Sequence, residues 1–316
     1  MPNRYTEDQL IARIFAPIAG PAALGLKDDA ALIEASSEPT VATVDMLVGG
    51  VHFFPGDPPG LIAKKALRVN LSDLAAKGAE PVGFLLALAL PADWTNDWLA
   101  AFATGLAEDA RAYAAPLIGG DTTATPGPLT ISITALGRTP RFVPRTGAKP
   151  GDAIYVSGTI GDAALGLALR HDESLSARLS PQARADLLDR YLLPRPRLDL
   201  VPLLRAHATA AMDVSDGLAG DLGKLCKASG VGAAVEAARV PLSAAAMEAI
   251  ALEPGLLSRA LTGGDDYEIL FSASPLAPPP EGAVRIGSII EGGAAPVFRA
   301  ADGTPIVFER PSFSHF

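Results

Sequence analysis

Ala211-Met212-Asp213-Val214-Ser215-Asp216-Gly217-Leu218 reads as a strand that ends in a turn and opens a helix. Side chains alternate along a strand, so Asp213 and Ser215 share one side. Asp216-Gly217 then forms the turn, and Asp216 is a candidate N-cap for a helix over Leu218–Ser229. Two carboxylates crowded at a strand end repel each other unless a cation lies between them. A capped helix carrying one incidental acid explains this stretch alone equally well. Function gains weight because the same strand–acid–glycine–helix pattern recurs elsewhere in the chain.

Nine aspartates stand in Gly-rich or strand-end positions: Asp28, Asp29, Asp45, Asp73, Asp121, Asp213, Asp216, Asp265 and Asp266. Oxygen donors from loops suit Mg²⁺ or Mn²⁺, and with four histidines and one cysteine zinc is disfavoured. Glycines beside the acids let backbone approach phosphate oxygens. No lysine is followed by Ser or Thr, so a Walker A loop is excluded. Gly230-Val231-Gly232 lacks the later glycine of a dinucleotide fingerprint, and no G-x-S-x-G elbow occurs. Among the histidines only His52 lies beside an acid loop, where it is either a turn-packing residue or a ligand contact. A covalent nucleophile is not expected.

The wider chain fits this picture. Its 316 residues exceed what one core usually serves, so two domains are expected. With 49% hydrophobic and 19% charged residues it reads as a well-packed globular protein. A net charge of −9 without basic runs disfavours nucleic acid and anionic membranes as partners. The first residues show no apolar signal segment and Phe84–Leu90 is too short to span a bilayer, so a cytoplasmic location is expected. Cys226 reads as mid-helix core packing.

Thr6-Glu7-Asp8-Gln9 predicts a capping box before a short amphipathic helix. Strands are expected at Thr40–Leu47, Val82–Leu90 and Leu129–Arg138, with helices over Pro59–Lys77 and Thr95–Ala115. Leu117–Thr122 reads as a strand passing into a tight loop at Gly119-Gly120-Asp121. Arg145–Asp152 resembles a junction, after which a new core starts at Ala153–Val156. Beyond it helices are expected near Asp162–Arg170, Pro181–Leu193 and from Ser243, with strands at Ala211–Val214, Tyr267–Ser272 and Val284–Ile290. Pro275–Pro280 reads as a surface linker. Mixed strands and long helices imply an α+β or α/β fold.

Five segments together resemble the thiamine-monophosphate kinase family: Lys27-Asp28-Asp29-Ala30; Thr43-Val44-Asp45-Met46-Leu47 with His52-Phe53; Val69-Asn70-Leu71-Ser72-Asp73; Gly119-Gly120-Asp121; and Met212–Leu218. Arg145-x-Gly-Ala-x-x-Gly-Asp152 and Gly263–Phe271 support it, and the match is collinear to Phe316. The resemblance implies a fold similar to aminoimidazole ribonucleotide synthetase. That means residues 1–148 as an ATP/Mg-binding and dimerisation domain, residues 149–316 completing the ATP/substrate cleft, and a homodimer whose N-terminal sheets pair into a barrel. It implies transfer of the γ-phosphoryl group of ATP to thiamine monophosphate, assisted by several Mg²⁺ ions, as the last step of thiamine diphosphate formation. By position it assigns Asp29, Thr43, Val44, Asp45, Asp73, Asp121, Asp213 and Asp216 to Mg²⁺. Gly120, Arg145 and Ser215 are assigned to ATP, and His52, Asp265 and Phe313 to the substrate. Val44 replaces a common hydroxyl residue, Asp265 a usual Glu and Phe313 a usual Trp; the last keeps a stacking face but loses area and the N–H. An aminoimidazole ribonucleotide synthetase-like enzyme and a catalytically silent nucleotide- or metal-binding module are the competing readings. Selenophosphate synthetase and the related hydrogenase maturation protein differ in their reactive Cys, which this chain lacks.

Overall fold

The structure, a computed structural model, describes residues 4–276, 280–293 and 295–313. The expected linker is therefore seen only in part, and Phe316 and His315 lie outside the described residues. The chain divides into two compact units: one comprises Met1–Leu74 and Ala79–Pro140, the other Ala75–Gly78 and Arg141–Phe316.

The first unit opens with α1 (Glu7–Leu10). Thr6 Oγ1 accepts from Gln9 N while the Gln9 side chain accepts from Thr6 N, the expected capping box. Its core is a four-stranded sheet of β1 (Thr40–Val48), β2 (Glu80–Leu90), β3 (Leu117–Ala124) and β4 (Thr130–Arg138), in the order β1-β4-β2-β3. Only β2 and β3 are parallel. They are joined through α3 (Asn96–Ala112), the crossover a parallel pair requires. Preceding it, α2 (Pro59–Ala76) follows β1. One sheet face buries Leu47, Phe84, Leu86, Leu88, Ile131 and Ile133. On the alternate positions Val44 and Met46 remain 61% and 58% exposed.

Two boundaries differ from expectation. The strand expected from Val82 begins earlier: β2 starts at Glu80, and the register of β2 against β4 shifts between Pro81 and Gly83. A proline is tolerated at such an irregularity because no ladder N–H is needed there. Gly119-Gly120-Asp121 is not a tight loop but the middle of β3, held by parallel pairing to Leu85–Ala87. Gly120 is required by proximity: a Cβ there would lie 1.9 Å from Leu86 O.

The second unit holds a seven-stranded sheet in the order β11-β10-β7-β9-β5-β8-β6. Its strands are β5 (Ala153–Ser157), β6 (Ala208–Asp213), β7 (Gly232–Glu236), β8 (Ile269–Ala273), β9 (Ala283–Ile290), β10 (Val297–Arg299) and β11 (Pro305–Ile306). Every residue of β5 and β8 is buried, because both faces are covered. Ile154 and Val156 face a cluster with Leu218, Leu222 and Cys226 of α8 (Leu218–Ser229). Ala153 and Tyr155 face another with Val201 and Leu204 of α7 (Val201–His207). Burial raises the Cys226 thiol to about 11, as suits core packing. A third cluster joins α4 (Asp162–His171), α5 (Glu173–Arg178), α6 (Pro181–Leu192), α9 (Ala244–Leu252) and α10 (Leu256–Thr262). Sequence periodicity gave no warning of β7, α5 or α10. The expected strand at Tyr267 starts only at Ile269, since Tyr267 has φ 52°. The chain thus has the mixed α/β architecture in two units that the residues implied.

In the first unit α2 and α3 approach so closely that a Cβ on Gly105 would lie 2.3 Å from Gly60 O. Helix propensity alone favours Gly105→Ala by about 1 kcal/mol, whereas overpacking costs about 1–3 kcal/mol. We expect overpacking to win, with Gly105→Ala lowering the temperature at which the protein unfolds. A rise in that temperature would show that the crossing is not tight.

Candidate functional site

In the first unit, β1 positions Thr43, Val44 and Asp45 on alternating sides. Thr43 and Asp45 point to the face that packs α2, and Val44 points away. Thr43 Oγ1 donates to Asp73 Oδ2, and Asn70 Oδ1 accepts from Asp45 N at 3.1 Å. Asn70 is fully buried and donates through Nδ2 to Ala66 O at 3.0 Å. Thus the 70–73 segment of α2 fixes both β1 residues, and Asn70 is the positioning residue the acid-centred reading overlooked. Its signal was the one turn of helix separating Asn70 from Asp73. Burial, and then the Asp73 charge, raise the Asp45 carboxyl to about 6. This is a carboxylate pair held together at a cost.

Asp29, Gly120 and Asp121 belong to a different surface. With Asp28, Phe15 and Leu26 they line a cavity of about 730 Å³ against the other face of the sheet. Asp28 Oδ1 accepts from Asp29 N at 2.8 Å, and both acids are exposed. His52 Nδ1 accepts from Val48 N at 3.0 Å, which locks the turn after β1 and leaves the proton of the neutral ring on Nε2.

In the second unit two motifs some fifty residues apart are laced together by backbone. Asp265 N donates to Ser215 O (2.9 Å), Tyr267 N to Val214 O (2.8 Å) and Val214 N to Glu268 O (2.8 Å). Asp265 and Tyr267 carry positive φ of 71° and 52°, uncommon for side-chain-bearing residues. Gly264 is needed here, because a Cβ would lie 2.1 Å from Ser215 O. The Tyr267 hydroxyl reaches Asp265 Oδ1 at 3.3 Å.

Asp216 does not cap α8: the N-cap is Gly217, at φ 106°. The carboxylate that serves the turn is Asp221, fully buried, whose Oδ2 accepts from Ser215 N at 3.0 Å and Asp216 N at 2.9 Å. An acid in the first turn does the capping from within the helix, where the macrodipole favours it. Asp213 is buried at the end of β6. Phe313 N donates to Asp216 O at 3.0 Å, so the tail docks by its backbone while the ring stays 52% exposed. The side chain of Arg145 is exposed and unpaired among the described residues; its carbonyl accepts from Ser229 Oγ.

Asp266 is not a loop acid of this kind. It is completely buried, accepts from Gly161 N (2.7 Å) and Ala163 N (3.3 Å) at the start of α4, and burial drives its carboxyl well above the ordinary range. Next to it Glu268 bonds Arg190 (2.9 Å), Arg197 (3.1 Å) and Ser157 (2.5 Å). These groups hold the strained segment rather than face a ligand.

No three His, Cys, Asp or Glu side chains come together as a metal cage among the described residues. Mg²⁺ rarely uses such a cage; it is held by one or two carboxylates and keeps waters and substrate phosphates as its other ligands. The Asp45–Asp73 pair fits that mode, being hard oxygen donors whose mutual repulsion a cation relieves.

Comparison with known proteins places these features in context. Residues 27–139 match the AIR synthase related protein N-terminal domain, and residues 149–276 match its C-terminal domain. A thiamine-monophosphate kinase of Caulobacter vibrioides is 42% identical, over 95% of this chain and 89% of its own. The crystal structure of thiamine-monophosphate kinase from Stenotrophomonas maltophilia is 40% identical with a TM-score of 0.79, covering 89% of this chain and 91% of that one. AaThiL complexed with AMPPCP and TMP is 31% identical with a TM-score of 0.80, covering 98% and 94%.

The raised Asp45 carboxyl has a consequence for stability without metal. A folded-state value near 6 against 3.8 for the free group means that the penalty is absent below about pH 4 and complete above pH 6. In EDTA at pH 7.5, Asp45→Asn should therefore unfold at higher temperature than the parent, by about 1–3 kcal/mol of relief. The gain should vanish near pH 4. Equal melting profiles at both pH values would mean the carboxylates are not in opposition.

Proposed function

The chain belongs to the thiamine-monophosphate kinase family, and on that premise we propose that it transfers the γ-phosphoryl group of ATP to the phosphate of thiamine monophosphate, yielding thiamine diphosphate and ADP. The observation that carries this reading is similarity along 95% of the chain to a thiamine-monophosphate kinase, with every acid of the resemblance present.

The chemistry suits these residues. Phosphoryl transfer needs little covalent help; it needs donor and acceptor held in line and their charge offset. A triphosphate meeting a monophosphate gathers about six negative charges. Several bound Mg²⁺ ions would supply the offset: Asp45 and Asp73, with Thr43 and the Val44 carbonyl, are donors on one surface of the first unit, Asp29 and Asp121 on another, and Asp213 is a donor of the second unit. Arg145 brings a positive charge to a phosphate oxygen. Gly120 and Ser215 let ATP phosphates approach backbone and hydroxyl. His52 and Asp265 contact thiamine monophosphate, and Phe313 offers its ring face to the cationic thiazolium. The anchoring of Phe313 through its N–H supports that assignment, because the residue remains 52% exposed while its backbone is held.

We also propose a homodimer formed through the sheet face that carries Val44, Met46 and Leu85, whose exposure is large for apolar residues. No helix among the described residues is long and apolar enough to cross a membrane, which accords with a cytoplasmic enzyme.

The deciding experiment is turnover: ATP, Mg²⁺ and thiamine monophosphate should give thiamine diphosphate and ADP, with free thiamine a poor acceptor because it lacks the bridging phosphate. Release of inorganic phosphate without the diphosphate product would sink the assignment and favour a different superfamily reaction. Asp45→Ala and Asp213→Ala should each cost a few kcal/mol of transition-state stabilisation while the fold persists. Normal rates in both would mean the metal ligands lie elsewhere.

Phe313 gives a sharper test. A cation–π contact is worth about 0.5–2 kcal/mol and is strongest with Trp. Phe313→Trp should lower KM for thiamine monophosphate and Phe313→Ala should raise it, with KM for ATP unchanged. If both variants only lower the melting temperature, the ring is an anchor after all.

A further inference from the structure

Asp216, a member of the implied Mg²⁺ set, has its carboxylate already met by a cation of the chain. Lys224 lies on α8 three residues after Asp221, so the two share a helix face. Its Nζ is 2.8 Å from Asp221 Oδ1 and also bonds Asp216 Oδ2. Asp221 in turn spends its other oxygen on the N–H groups of Ser215 and Asp216. The ammonium therefore sits where the two carboxylates converge. Asp45 and Asp73 offer a contrast: among the described residues neither forms an ion pair with a lysine or arginine, and Asp73 Oδ2 accepts from the neutral Thr43 hydroxyl.

Tethering gives the ammonium a standing advantage over an ion from solution. A side chain anchored one helical turn away has a high effective concentration at its partner. Mg²⁺ also dehydrates reluctantly, and here it would have to displace two charge-assisted hydrogen bonds to gain the same oxygens.

We propose that Lys224 is the resident cation of Asp216, so that this chain binds no Mg²⁺ at Asp216 and uses a side chain where the family resemblance implies a metal ion. This rests on the reading that the other acid loops hold Mg²⁺. It assigns Asp216 to shaping the Ser215 turn and carrying Lys224.

The test counts metal directly. The whole protein is dialysed to equilibrium against Mg²⁺ with a non-hydrolysable ATP analogue, and bound Mg²⁺ per protomer is measured. Asp216→Asn should leave the count unchanged. Lys224→Gln should add one Mg²⁺, and Asp216→Asn in that background should remove it. Lys224→Arg keeps the positive charge and should keep the parent count, which guards against a folding artefact. The proposal is overturned if Asp216→Asn alone costs one Mg²⁺, or if Lys224→Gln adds none while remaining folded. Asp45→Asn reports on the wider metal reading separately: a loss there beside no loss at Asp216 is the pattern expected.

Discussion

Three backbone hydrogen bonds, from Asp265 N, Tyr267 N and Val214 N, hold the second unit's candidate site together. They force Gly263–Glu268 to run beside Val214-Ser215, and they do so only because Asp265 and Tyr267 accept left-handed backbone. Such conformations cost of order 1–3 kcal/mol each and persist where surroundings overdetermine them. Here the surroundings are the buried Asp266 and Glu268, alternating with the strained residues and fixed by Arg190, Arg197, Ser157 and the first N–H groups of α4. Odd positions of the segment are offered outward and even positions are locked inward.

The first unit solves a different problem. Asp45 and Asp73 form no ion pair with a lysine or arginine among the described residues; Thr43 and Asn70, both neutral, hold them and orient without cancelling charge. Opposed carboxylates of this kind are a reserve of repulsion that a divalent ion can release.

Much of this was legible in the residues. The alternation Asp213-x-Ser215, the capping box at Thr6 and the buried run Ala153–Val156 all follow from periodicities that local geometry imposes. The role of Asp221 was not read, although an acid in a helix's first turn is a recognisable sign; the more conspicuous Asp216 drew the capping assignment instead. The Glu268–Arg190–Arg197 network left no trace because Glu268 lies more than seventy residues from both arginines and meets them through tertiary packing. Gly120 was placed in a loop because two consecutive glycines suggest a turn. Only the pairing of β3 with β2 shows that they are there to let two backbones touch.

The docking of the tail through the Phe313 N–H separates two properties that proteins often bind together. Position is set in part by a peptide group that every residue except proline possesses, whereas character is set by a side chain that stays half-exposed. Substitution at 313 can therefore change the chemistry presented there and keep the backbone hydrogen bond that holds the tail. Such a position is open to drift and to retuning.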